Sequence, residues 1–281
     1  MRFPELRRTL KILSRNPSAA AGMVIIAGMG LLALFAGSLA PYDPIRISLS
    51  ERLQPPSVTH WFGTDEMGRD ILSRVIHGAR ISLRIGIVVV SIAGVLGTVI
   101  GATAGFLGRW ADAVIMRIMD VILSFPSLVL AMALAAALGP GLTNAVIAVA
   151  FVMIPKFARL SRGEALAVKE RQYIAAARVA GASNPWIIAN HVLPNCVNSV
   201  IVLATLTLGD TILIAASLSF IGLGAQPPTP EWGAMISVGR KFLMDHSWYA
   251  AFPGVFILVT VIGFNILGDA LRDVLDPRIR R

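Results

Sequence analysis

Long apolar runs separated by short charged segments set the pattern of this chain. A bilayer core of about 30 Å is crossed by about 20 apolar helical residues. The run from Ser18 to Ala40 carries no charge and is bracketed by Pro17 and Pro41, so it predicts a first span. Ile85 to Gly108, also uncharged, predicts a second, and Ile118 to Leu138, with Asp120 near its start, a third. Gly139, Pro140 and Gly141 then break the apolar run and reverse the chain. A fourth span follows from Leu142 to about Phe157, a fifth, containing Asp210, from about Val197 to Ile221, and a sixth from about Tyr249 to Gly268. The pattern predicts an all-α membrane protein with six transmembrane helices.

The connections carry their own periodicity. In RDILSRVIHGAR, Ile71, Leu72, Val75, Ile76 and Ala79 fall on one helical face, and Asp70, Ser73, Arg74, His77 and Arg80 on the other. This predicts an interfacial helix ahead of the second span. Between the fourth and fifth spans, KERQYIAAARVAGASNPWIIANHVLPN interrupts the apolar pattern with an alanine-rich stretch. Ala175, Ala176, Ala177 and Ala180 favour a helix over Arg171 to Ala180, and Gly181 supplies a left-handed stop. Asn184 followed by Pro185 signals a new helix start. That helix is expected to run to about His191, with Pro194 ending it before the fifth span. Gly97, Gly101 and Gly105 form two overlapping GxxxG steps, which predict close helix packing within the bundle.

Composition agrees with a membrane protein: 56% of the 281 residues are hydrophobic and 15% charged, with a mean hydropathy of +0.73. The net charge of +9 and a pI near 10.7 reflect topology rather than nucleic-acid binding. With the N-terminus in the cytoplasm, 17 of the 25 Lys and Arg fall inside, among them Arg2, Arg7, Arg8, Lys11, Arg15, Arg109, Arg117, Lys156, Arg159, Arg162, Arg278, Arg280 and Arg281. Both termini are therefore expected to be cytoplasmic. The first apolar run is longer than the 7 to 15 residues or so of a signal peptide, so a retained helix is predicted. Cys196, the single cysteine, excludes an intrachain disulfide.

Chemistry-bearing residues are few. His60, Asp65, Glu66, Asp70 and His77 lack any tight metal-ligand spacing, so no metal site is expected. No GxxxxGK[ST] motif is present, so energy from ATP would have to come from another polypeptide. Asp210, near the middle of the fifth span, should face a cavity or be paired, and its sequence leaves translocation lining and a structural bond equally open. Asp120 follows Arg117 by three residues, which favours a local ion pair, with Asp120 retained beside Asp210, Ser217 and Asn265 as a pathway candidate. Asn265 and Asp269 share a face of the sixth span, with Arg272 in reach of Asp269, so a structural cap and a pathway role both stand. Ser217 and Ser219 are read chiefly as helix-packing residues, with Ser217 retained as a pathway candidate.

The stretch AAARVAGASNPWIIANHVLP, 175 to 194, resembles the EAA loop of permease subunits of bacterial ABC importers. Ala176, Ala177, Gly181, Leu193 and Pro194 match that pattern at its spacing, while Ala175 stands in place of its glutamate and His191 in place of its isoleucine. FGTDEMGRDILSRVIHGARISL, 62 to 83, and SFIGLGAQPPTPEWGAMI, 219 to 236, are similar to external segments of the second permease subunit of peptide and nickel importers. MRIMDVILSFPSLVLAMALAAALGP, 116 to 140, is most similar to the D,D-dipeptide or general dipeptide branch.

The resemblance implies a type I importer permease fold in the bacterial inner membrane. Ala175, Ala176, Ala177, Arg178, Gly181, Ala182, Leu193 and Pro194 would then dock an ATPase subunit. It further implies a second permease subunit, two ATPase subunits that bind ATP and magnesium, and an external substrate-binding protein. No cofactor is expected in this chain and no enzymatic activity of its own. On this reading the chain divides into a cytoplasmic N-terminus (1–17), a first helix (18–40), an external segment (41–84), a core (85–272) with its coupling loop (158–196), and a cytoplasmic C-terminus (273–281). The alternative is a secondary transporter or channel working without ATP, which would show inverted repeats or broken helices with polar centres. A membrane-embedded enzyme finds no HExxH, GxSxG or paired intramembrane carboxylates.

Overall fold

The computed structural model describes residues 17–275, so the basic residues of both chain ends, Arg2 to Arg15 and Arg278 to Arg281, lie outside the described part. The described residues form α1 (Pro17–Leu34), α2 (Ala36–Leu39), α3 (Ile71–Leu107), α4 (Arg109–Leu123), α5 (Ser127–Leu138) and α6 (Leu142–Lys169). These are followed by α7 (Gln172–Val179), α8 (Asn184–Ile187), α9 (Leu193–Ile221), α10 (Trp232–Gly239) and α11 (Trp248–Leu275). Five helical runs are long and apolar enough to cross a bilayer, namely α1, α3, α6, the run from Asn184 to Ile221, and α11.

The third predicted span differs from expectation. α4 and α5 are bent by 92° at a short break, so a sixth span exists only if the bent pair counts as one. Pro126 explains the break: it has no N–H to continue the helix and pushes Phe125 out of the helical region. The first span is also shorter than read, ending at Leu34 before the four-residue α2.

The interfacial helix expected at 69–80 is the start of α3, which runs unbroken for 37 residues. At 1.5 Å per residue this is about 55 Å, well beyond the membrane core, so its first turns stand above the bilayer. There they are buried in protein on both faces: Ile71, Val75 and Ala79 pack with Trp232, Met235 and Tyr249, and Ser73 and Arg74 are buried as well. Amphipathic periodicity revealed the helix but not what covers its polar face.

What covers it is the FGTDEMGRD segment. Asp70 caps α3 by accepting from Ser73 N and Ser73 Oγ, both at 2.7 Å, and its other oxygen meets His60 Nδ1 at 2.9 Å. Asp65, fully buried, accepts from Met67 N (2.8 Å), Arg69 N (2.9 Å) and Arg69 Nε (2.6 Å), with Arg74 Nε at 3.4 Å. The residues weighed as metal ligands are thus engaged with protein partners. Replacing Asp65 with Ala leaves two buried guanidinium groups short of a counter-charge, a loss of about 3–5 kcal/mol. The expected result is a marked drop in the thermal midpoint of the detergent-solubilised chain, and an unchanged midpoint would mean that this network does not hold the external cap.

α10 is wedged between α3, α9 and α11. Trp232 Nε1 donates to the Val75 carbonyl at 2.9 Å, and the ring passes over Gly78, where an added Cβ would lie 2.6 Å from it. Glu231 caps α10 by accepting from Gly233 N and Ala234 N at 3.0 and 2.9 Å. Burial pushes the Glu231 carboxyl above its ordinary value of 4.5, and these two hydrogen bonds pull it back in part. A carboxyl raised in the fold stabilises most below its unfolded value and loses that contribution as pH rises through the folded value. Glu231→Gln keeps an acceptor for the cap and should flatten the pH dependence of the midpoint above about 4.5. An undiminished slope would assign the dependence to another group.

α3 and α6 cross along the glycine steps. A Cβ at Gly97 would lie 2.6 Å from the Ile154 carbonyl oxygen, at Gly101 2.0 Å from that of Ala158, and at Gly105 2.7 Å from that of Arg162. The bare backbones touch, which is what small-residue packing in lipid requires.

Candidate functional site

The cytoplasmic stretch folds as a knob at the junction of α6 and α9. α7 and α8 match the predicted pair of short helices, and Gly181 between them has φ +85, the left-handed stop expected. The second helix continues where a stop was predicted. Ile188–Val192 forms a π turn that leads directly into α9, so the helix from Asn184 to Ile221 is continuous over 38 residues. Pro194 sits in the first turn of α9, and the wider π register just before it relieves the clash a proline causes in an α-helix.

Ile174 of α7 and Ile187 of α8 are fully buried and anchor the knob in a cluster with Ala102, Phe106, Ala165, Val168 and Cys196. Arg178, one of the expected docking residues, lies over the Phe106 ring at 5.2 Å. The opposite side is open. Ala175, Ala176 and Gly181 are exposed, a Cβ at Gly181 would meet nothing within 4 Å, and Ala177, Ala182, Ser183 and Trp186 line a hollow of about 490 Å³ there. Leu193 is half-buried and Pro194 exposed at the root of α9. Trp186 and Tyr173 flank His191, with ring centroids 5.2 and 5.7 Å away. The knob is a rigid, small-faced projection suited to close approach by a second protein.

The second polar constellation runs along α6. Lys156, Arg159 and Arg162 recur every three residues and each meets an aspartate on another helix. Lys156 Nζ lies 3.6 Å from Asp210 of α9, Arg159 Nη2 2.5 Å from Asp120 of α4, and Arg162 makes two bonds of 2.6 Å to Asp112 of α4. The local Arg117–Asp120 pair expected from spacing is therefore replaced by a contact between helices. Asp210 is paired across helices, and its side chain is still 56% exposed.

Asn265 is exposed on α11 beside Gly209, where a Cβ would come 3.1 Å from its Oδ1. No Asp269–Arg272 ion pair forms among the described residues. Ser217 Oγ donates to Leu213 O within its own helix at 2.7 Å. Ser219 packs under the external loop, accepting from Ala225 N at 3.1 Å. Reading the basic residues of α6 only as topology markers missed Lys156, and its signal was the 156, 159, 162 spacing. A charge facing hydrocarbon costs roughly 2.5–3.5 kcal/mol on insertion scales, so a partly exposed ion pair at mid-helix has to face water or protein.

Comparison with known proteins accounts for this combination of parts. The family described as "Binding-protein-dependent transport system inner membrane component" matches residues 97–281, and the "N-terminal TM domain of oligopeptide transport permease C" matches residues 5–56. The chain is 53% identical over 267 residues to the probable D,D-dipeptide transport system permease protein DdpC of Escherichia coli (strain K12), covering 95% of this chain and 90% of that protein. It is 47% identical to the dipeptide transport system permease protein DppC of Alkalihalophilus pseudofirmus, covering 98% and 90%. It is 45% identical to the glutathione transport system permease protein GsiD of Pectobacterium atrosepticum, covering 96% and 90%. Among solved structures, an inward-facing MetNI methionine ABC transporter aligns with a TM-score of 0.54 at 20% identity, covering 73% of this chain and 97% of that one, and shares the type I permease fold. With its apolar helices and these relatives, the chain belongs to the binding-protein-dependent transport system inner membrane components as a multi-pass permease of an ABC importer.

Proposed function

We propose that this chain forms one half of an import pathway for dipeptides or related small peptides. It works with a second permease subunit, two ATPase subunits that bind ATP and magnesium, and an external substrate-binding protein. The knob carries the reading: its inner side is bolted to α3 and α6 by Ile174 and Ile187, and its outer side is bare around Gly181. Relatives named for dipeptide and glutathione transport support peptides as the cargo.

α6 enters the knob and α9 leaves it, so a displacement of the knob moves both helices together. Those two helices bear Lys156 and Asp210, and Asp210, Ser217, Asn265 and Asp120 are assigned to the pathway lining. ATP binding then drives transport to the extent that the ATPases contact one state of the permease better than the other. Purification in detergent should bring down an ATPase, and the reconstituted assembly should take up dipeptide only with ATP. Uptake by this chain reconstituted alone would favour the secondary-transporter reading instead.

A further inference from the structure

We infer that Lys156 and Asp210 form a site for the charged termini of a zwitterionic peptide, with Lys156 facing the carboxylate and Asp210 the ammonium. This rests on the peptide-import reading above.

The depth is right for a site within the pathway. Lys156 lies 14 residues from the start of α6 and Asp210 11 residues from the end of α9, about 21 and 17 Å at helical rise. Both therefore fall within a core of about 30 Å, Asp210 near its middle and Lys156 toward its cytoplasmic side. The pair is also unlike its neighbours on the same stripe. Arg159–Asp120 and Arg162–Asp112 close at 2.5 and 2.6 Å, whereas Lys156 Nζ and Asp210 Oδ2 stand 3.6 Å apart. That is longer than a charge-assisted hydrogen bond of about 2.7–2.9 Å.

Neither side chain has another hydrogen-bond partner among the described residues, and they are 33% and 56% exposed. Each charge thus has an open side and unused hydrogen-bonding capacity. A zwitterion offers the matching pair of charges and satisfies both at once. A single anion or cation satisfies one and leaves the other as it was. Ser217 lies two turns further out on the same face of α9, seven residues from Asp210, and marks the approach.

The test uses the assembled importer in liposomes with its binding protein, and a zwitterionic dipeptide as probe. K156Q and D210N should each lower uptake at least about tenfold. The exchange K156D/D210K restores an ion pair but inverts its direction, and uptake should stay low although the subunits assemble. S217C should react with a membrane-impermeant thiol reagent, and dipeptide with ATP should slow that reaction. The wild type supplies the blank, because Cys196 is buried.

Uptake restored by the exchange would make the pair a structural clamp between α6 and α9 and overturn the inference. So would unchanged uptake in D210N, or an S217C thiol that the reagent never reaches. If the wild-type assembly takes up no peptide at all, the import reading itself fails, and that is seen before any variant is made.

Discussion

Gly181→Trp is expected to abolish ATP-driven uptake and the stimulation of ATP hydrolysis by substrate, while the membrane helices still fold. The left-handed backbone at φ +85 costs a residue with a Cβ about 1–2 kcal/mol. That cost is local, because the turn joins two helices whose inner faces are held independently by Ile174 and Ile187. No atom of this chain lies within 4 Å of the Cβ position, so the turn itself has room for a side chain, and on the proposed docking the added indole collides with the ATPase. Gly181→Asn separates the two effects: asparagine tolerates the left-handed region and adds little bulk, so it should retain a large share of uptake. Hydrolysis that stayed fully substrate-stimulated in Gly181→Trp would sink the coupling assignment.

Gly101→Leu is expected to remove the folded protein altogether. A Cβ there falls 2.0 Å from the Ala158 carbonyl oxygen, and the atom in the way is backbone of α6, which cannot swing aside as a side chain can. Forcing extra carbons into a tight contact costs about 1–3 kcal/mol even where neighbours adjust, and here α3 and α6 would have to separate along the whole Gly97–Gly105 seam. Gly163→Ala on α6 is the matched control. No atom lies within 4 Å of its Cβ position, and alanine gains roughly 1 kcal/mol of helix propensity over glycine. The yield of monodisperse protein in detergent distinguishes them: near zero for the first, and wild-type or better for the second. Normal yield of Gly101→Leu would mean that the two helices do not cross at these glycines.

Several features of the fold and site were legible because they depend on local chemistry. The apolar runs, the left-handed turn at Gly181, the start at Asn184 and Pro185, and the glycine seam each follow from residues close together in the chain. The misreadings share a cause. Pro126 and Pro194 are the same residue type within apolar surroundings, yet one marks a 92° break and the other is absorbed by a π turn. Pro126 stands ahead of the first residue of α5, whereas Pro194 follows a π turn that carries the helix through. Asp120 was assigned to Arg117 because sequence shows only neighbours along the chain, while Arg159, 39 positions away, is its partner in space.

The sequence by itself determined that this chain crosses a membrane, and that an alanine-rich helical pair with a glycine hinge faces the side rich in Lys and Arg. Those properties arise from solvation and backbone preference, which act residue by residue. Only the tertiary structure decided that the polar face of the first long external helix is buried under the Asp65 and Asp70 networks, and that Lys156 meets Asp210 rather than marking a loop. Charge pairing depends on distance in space and not on separation along the chain. Local spacing along the chain does not show which charged residues of different helices will meet.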